Sequence, residues 1–360
     1  MRYDVAILGG GPAGAAAGLS FKRLRPALRI AIIEASRDNL WRAGETLPPG
    51  SREILQSLGC WEAFCGEGFL ESFGTRAVWG GLQPYENEFL FSARGHGWRL
   101  DRRRFDAMLA RCAQAAGVDL FAGTRLVASR RTDAGWHLRL DGGPGEELDT
   151  AFVVDATGRA ASFAVEQGAR RLAGDGLMAA WAVFPRPRTA DLCTMVEARP
   201  EGWWYSSEIP GGQVVVAWMS DADLIRSHGL HRLGRWFAHL GQSSLTAARV
   251  VSADPPGTLR VCATQSQKLS QATGAGWIAA GDAASTFDPL SSQGILKALR
   301  SGKLASFAAL DCLDGRTQSL DRYQRLVDGE YQSYCETKAS FYRQEQRWPQ
   351  SPFWRRRQEP

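Results

Sequence analysis

Asp4-Val-Ala-Ile-Leu-Gly-Gly-Gly-Pro-Ala-Gly-Ala15 sets an apolar run directly before Gly9, Gly11 and Gly14. A second apolar run, Ile30-Ala-Ile-Ile, ends on Glu34, twenty residues beyond Gly14. This is the order that a strand, a tight turn and a helix need in order to hold a dinucleotide. Gly9 permits the turn, Gly11 lets the backbone approach a pyrophosphate, and Gly14 lets helix and strand pack closely. The helix N-terminus then presents free N–H groups to the phosphates. Glu34 stands where a carboxylate accepts hydrogen bonds from an adenosine ribose.

Outward from this motif, the first third of the chain reads as strand, helix, strand, with a helix over Ala15 to Leu24. Further helices are expected over 50–58, stopped by Gly59, and from an N-cap at Asp101 through Ala116, stopped by Gly117. Segments 118–121, 125–131 and 136–140 alternate like strands, and Ala151-Phe-Val-Val-Asp155 is a buried-type strand. From about 172 to 264 apolar and polar residues alternate between prolines, which is the pattern of an antiparallel sheet. One helical stretch, around 224–240, interrupts it. Trp277-Ile-Ala-Ala-Gly-Asp282 returns to the first fold, and helices follow over 293–313 and 321–347.

The composition narrows the function. With 360 residues, 22% charged and 44% apolar, the chain reads as a globular protein of one large or two ordinary domains. A net charge of +5 without a basic stripe between aromatics argues against nucleic acid. Arg355-Arg-Arg357 reads as a solvated basic tail. Seven cysteines without a C-x-x-C pair argue against a disulfide framework or a zinc site, so no metal is expected. No apolar stretch is long enough to span a membrane. The first core strand begins too early to leave room for a signal peptide, so a cytoplasmic protein is expected. Thirteen tryptophans suit either an aromatic pocket or an ordinary core.

Three glycine-bearing loops in this order resemble those of the FAD-binding proteins of the flavoprotein monooxygenase and halogenase superfamily. The first is Gly9–Gly14 with Glu34, and the second is Val154-Asp155-Ala-Thr-Gly158-Arg. The third is Gly281-Asp282-Ala-Ala, leading to Asp288-Pro289-Leu-Ser-Ser-Gln-Gly294. The resemblance implies an α/β fold in which a Rossmann-like FAD-binding domain, of the glutathione-reductase and p-hydroxybenzoate-hydroxylase type, carries an inserted antiparallel β-sheet substrate domain and a C-terminal helix. Residues 1–75, 100–170 and 270–320 would form the FAD domain, 76–99 and 171–269 the substrate-facing sheet, and 321–360 the C-terminal helix and tail.

The same resemblance implies the site. Gly9, Gly11, Pro12, Ala13, Gly14, Glu34, Glu45, Arg102, Asp155, Gly158, Gly281, Asp282, Pro289, Ser291, Gln293, Gly294 and Ile295 would hold FAD. Asp282 would lie against the ribityl chain, and the helix from Gly294 would aim its positive end at the flavin's pyrimidine side. Arg102 is either a cofactor contact or part of a solvated helix face beside Arg103 and Arg104. Glu45 either faces the reaction chamber or caps the turn before Pro48-Pro49. Glu45 and Pro289 would stand at the reacting centre, and Trp203, Trp204 and Tyr205 would form an aromatic wall.

Two departures count against halogenation of free tryptophan. Tryptophan halogenases carry an essential lysine soon after the Gly-Glu segment, but here none lies between Lys22 and Lys268. Tyr205 and Ser207 stand where the halogenase Trp-x-Trp-x-Ile-Pro signature has tryptophans. Oxygen insertion through an electrophilic flavin hydroperoxide remains, and it asks the protein for positioning and dryness. Gly281 through Leu299, Gly202-Trp-Trp-Tyr-Ser-Ser207 and the compact length resemble the flavoprotein maturases of cysteine tryptophylquinone oxidases. That implies a monooxygenase that hydroxylates a tryptophan in a partner oxidase precursor, consuming O2. No second Gly-x-Gly-x-x-Gly appears, so electrons would come from NAD(P)H visiting an open cleft, from a reductase or from free reduced flavin. The alternatives are a hydroxylase of a small or carrier-tethered aromatic and a non-catalytic flavin-binding chaperone.

Overall fold

The computed structural model describes residues 1–36, 46–88, 95–185, 193–250 and 256–358. Glu45 lies outside them. Arg2–Leu8 forms the central strand of a mixed sheet, flanked in parallel by Ile30–Glu34 on one side and Glu147–Asp155 on the other. Asp119–Ala122 and Trp277–Ala279 extend it on the two sides, both in parallel, and Thr273–Gly274 adds antiparallel beyond the latter. Val5, Ala6, Ile7 and Leu8 are buried almost completely, as a strand covered on both faces requires. The antiparallel pair Arg125–Thr132 and Gly135–Asp141 hangs from Glu147–Asp155.

The Pro12–Leu24 helix follows the first turn without a side-chain cap. It packs along the Gly294–Leu313 helix, so the first and last parts of the chain share one core.

A second sheet has seven strands, in the order Arg260–Ala263, Leu177–Pro185, Gln213–Asp221, Gly202–Ile209, Cys193–Arg199, Gly74–Val78 and Tyr85–Glu88. Its cores lie on two sides, because successive side chains point to opposite faces. Gly97–Arg99 does not join this sheet. It pairs with Thr46–Leu47 and Leu70–Ser72, which places the end of segment 76–99 apart from the expected substrate sheet.

Three expectations are corrected at the helices. The stretch around 224–240 is two helices, Ala222–Ser227 and Leu233–Leu240, parted at Gly229, whose φ is +68°. The last long helix runs Gln318–Arg343 and ends well before Pro349 and Pro352; a separate Pro352–Gln358 helix follows. Arg355-Arg-Arg357 is therefore no free tail. Phe353 and Trp354 beside it are fully buried, Arg357 pairs with Asp221 at 2.5 Å, and Arg356 reaches both Asp221 and Asp223. Periodicity could not show this docking, because it depends on acids more than 130 residues away.

Candidate active site

Between the two sheets lies a cavity of about 1250 Å³. At one end it is lined by Gly9, Gly11, Pro12, Ala13 and Glu34, and along its side by Ala156, Thr157, Gly158 and Arg159. Asp282, Asp288, Pro289, Gln293, Gly294 and Ile295 line its middle. Ala179, Trp181, Tyr205, Val215, Ala217 and Met219 of the second sheet form the far wall.

The first turn has the geometry that its glycines suggest. Gly9 has φ +106°, and a methyl group on it would stand 2.3 Å from the Ala156 carbonyl oxygen. On Gly14 a methyl group would stand 1.9 Å from the Gly9 carbonyl oxygen, so Gly14 packs the helix on the turn and does not itself line the cavity. Glu34 accepts from the Gly10 N–H at 2.7 Å and the Ser36 N–H at 2.9 Å, so its carboxylate holds the turn as well as facing the cavity.

Asp155 is completely buried and does not line the cavity. It accepts from the Thr157 N–H and hydroxyl and the Ala164 N–H, and so shapes the second loop from behind. Burial pushes its carboxyl above the usual range in spite of those bonds.

Gly281 backs the third loop against Ala13. Asp282 lines the cavity and accepts from the Lys297 ammonium at 3.0 Å. The Lys297 side chain is 6% exposed and sits 4.7 Å over the Phe287 ring. Ser291 turns inward, donating to the Asp288 carbonyl at 2.9 Å, and its neighbour Ser292 lines the cavity instead. The Gly294–Leu313 helix begins uncapped and without an acid in its first turn, and the space beside the Gly294 Cα is open. The N-termini of two helices of 13 and 20 residues thus face one cavity. Such ends attract negative charge.

Arg102 opens the Arg102–Ala115 helix, capped by Asp101. Its guanidinium lies 3.1 Å from the Asp106 carboxylate, is only 11% exposed, and lines the cavity. It is the exposed Arg103 and Arg104 that form the solvated face. Thr46, which follows Glu45, lines the cavity and lies 3.3 Å, hydroxyl to hydroxyl, from Tyr205.

The aromatic wall needs correction. Trp203 and Trp204 are fully buried and neither lines the cavity. Trp204 points to the opposite face, among Trp218 and Trp236. Trp203 shares Tyr205's face but is sealed by Tyr342, to which it donates at 3.1 Å, in a cluster with Trp79 and Trp354. Trp181 takes their place in the cavity, with the Arg260 guanidinium 5.1 Å from its ring. Its alternation within Leu177–Pro185 was the available signal. Asp288, quoted in the third loop without a role of its own, also lines the cavity: its carboxyl accepts from Tyr342 at 2.8 Å and from the Leu290 N–H.

The tryptophan halogenase family model matches residues 82–360. The chain belongs to that family. Among individual relatives of this tryptophan halogenase-family protein, the putative FAD-dependent oxidoreductase LodB of Marinomonas mediterranea is 29% identical, over 99% of this chain and 96% of its own. The tryptophan 2-halogenase of Chondromyces crocatus is 25% identical over 94% of this chain and 67% of its own. The solved structure of the flavin-dependent halogenase CmlS superposes with a TM-score of 0.87 at 26% identity, covering 99% of this chain and 68% of that one. That of QhpG, a peptidyl tryptophan dihydroxylase essential for tryptophylquinone cofactor biogenesis, superposes at 0.82 and 25% identity, covering 99% and 79%.

The family protein is thus a flavin-dependent oxidoreductase with the α/β fold of the flavin-dependent halogenases, and its cofactor is FAD. The cavity fits that cofactor: two uncapped helix N-termini suit its charged groups, and the apolar far wall leaves room for a ring beyond it. Among the described residues no group of three or more His, Cys, Asp or Glu could hold a metal ion. No described helix is long and apolar enough to cross a membrane.

Proposed function

We propose that this protein is a monooxygenase that hydroxylates a tryptophan side chain on the precursor of a tryptophylquinone oxidase. Bound FAD supplies the activation of O2. The chain's own residues bind, orient and keep dry. The turn at Gly9–Gly14 and Glu34 would take the adenosine and pyrophosphate, and Asp282 with the Gly294 helix end would take the ribityl and ring side. Pro289 would lie against the ring. Trp181, Tyr205, Ala217 and Met219 would form an apolar chamber that stacks on an indole and excludes water. An electron-rich ring needs positioning more than it needs a protein nucleophile.

The observation that carries this reading is the whole-chain likeness to the peptidyl tryptophan dihydroxylase. It is joined by the lack of any lysine between Lys22 and Lys268, where halogenases keep theirs. Tyr205 and Ser207 in place of two tryptophans point the same way. The partner would be the precursor polypeptide, with electrons from NAD(P)H or free reduced flavin.

Mass spectrometry of a tryptophylquinone-oxidase precursor co-expressed with this protein tests the proposal. Oxygen added at a tryptophan only when the protein is present is the expected result. An unmodified precursor, together with oxygen uptake on small phenols or indoles, would shift the assignment to a small-molecule hydroxylase. Reduced flavin that reoxidises slowly and yields no product with either substrate would leave a flavin-binding chaperone.

A further inference from the structure

The Arg260–Ala263 strand ends the seven-stranded sheet, and among the described residues it pairs with Leu177–Pro185 alone. Just past it, the Thr264 N–H donates to the Leu177 carbonyl at 3.0 Å. Residues of an antiparallel pair alternate between bonding their partner and facing away from it. In the register that pairs Met178 with Ala263 and Trp181 with Arg260, that bond turns the backbones of Cys262 and Arg260 inward. The N–H and C=O groups of Val261 and Ala263 then point away from Leu177–Pro185, to the side where no described strand pairs.

This edge is also a boundary of the cavity. Arg260 and Cys262 share the sheet face of Trp181 and Ala179, whereas Val261 and Ala263 lie on the other face, yet all four line the same space. In the neighbouring Leu177–Pro185 strand only Ala179 and Trp181, on one face, line that space, so the cavity reaches the edge of the sheet and opens beside Val261. Val261 is 42% exposed at that opening.

We propose that an extended segment of the partner polypeptide adds to this edge as one more strand, and so delivers its tryptophan through the opening to Trp181 and Tyr205. The inference rests on the reading of the partner as a protein and names how it is held. Outward N–H and C=O groups in alternation complement another backbone, which a small aromatic lacks.

The probe is the same oxidase precursor, added to the flavin-loaded protein. Val261→Pro removes one outward donor and no bond to Leu177–Pro185, a change that edge strands tolerate. Val261→Thr keeps the donor. Precursor hydroxylation should fall roughly tenfold or more in V261P. It should persist in V261T, with both variants retaining FAD. In the parent protein, hydrogen exchange at the amides of 261 and 263 should slow when the precursor is added. Parent-like hydroxylation by V261P, or unchanged exchange at both amides, overturns the edge-docking proposal while leaving hydroxylation intact. Should the precursor gain no oxygen even from the parent, the catalytic reading fails, and the exchange measurement still decides the docking.

Discussion

Gly14 shows how little room the dinucleotide turn leaves: a single methyl group there would collide with the Gly9 carbonyl. Gly14→Ala should therefore cost about 2–4 kcal/mol and release FAD, because the turn and helix must part to admit the carbon. Flavin absorbance per protein after desalting and a urea titration measure the two effects; full flavin content would show that the turn does not hold the cofactor. Asp288 acts through its proton. Burial pushes its carboxyl above the usual carboxylate range. The folded chain thus keeps this proton to a higher pH than the unfolded chain does. The group subtracts stability as pH rises from the ordinary value through the raised one. Asp288→Asn removes that penalty, so the variant's stability relative to the parent should improve across this window. Denaturation curves that stay a constant distance apart at every pH would contradict it.

At the scale of elements, the Gln318–Arg343 helix is tied to the turn before Leu177–Pro185 by Lys338, which donates to Asp175 at 2.6 Å and to Ser266 at 3.0 Å. Burial works to raise the Asp175 carboxyl, but the Lys338 ammonium and several hydrogen bonds outweigh it and hold the group below its ordinary value. A carboxyl lowered by folding contributes stability above its unfolded value and loses it as pH falls through the folded one. Asp175→Asn should cost about 1–3 kcal/mol at neutral pH. The difference should vanish as pH falls through the lowered value, as thermal melts across an acid series would show. The elements also mark where sequence reading works. The turn after Arg2–Leu8 was legible because a local pattern of glycines dictates it. The break at Gly229 and the docking of Pro352–Gln358 were not, because each depends on what the rest of the chain packs against.

Across the whole molecule, the C-terminal helix decides the shape of the chamber. Trp354 is fully buried, its indole N–H donates to the Arg199 carbonyl at 2.9 Å, and its ring lies 5.1 Å from Trp79. This cluster covers the part of the second sheet where Trp203 would otherwise be exposed. Trp354→Ala should cost about 3–5 kcal/mol. It should also expose Trp203, seen as a red shift and stronger quenching of tryptophan fluorescence by added iodide. Unaltered quenching would mean that the helix does not seal the sheet.

The FAD fold was written locally, in three glycine loops, one acid at a set distance and alternating apolar runs. Each of these forces a backbone shape whatever surrounds it. Which indole meets the chamber was not, because Trp181, Trp203 and Trp204 are chemically alike and all sit in strands of the same pattern. The strand pairing that sets their faces, and the final helix that closes over one of them, join residues far apart in the chain. Only the folded molecule brings those together.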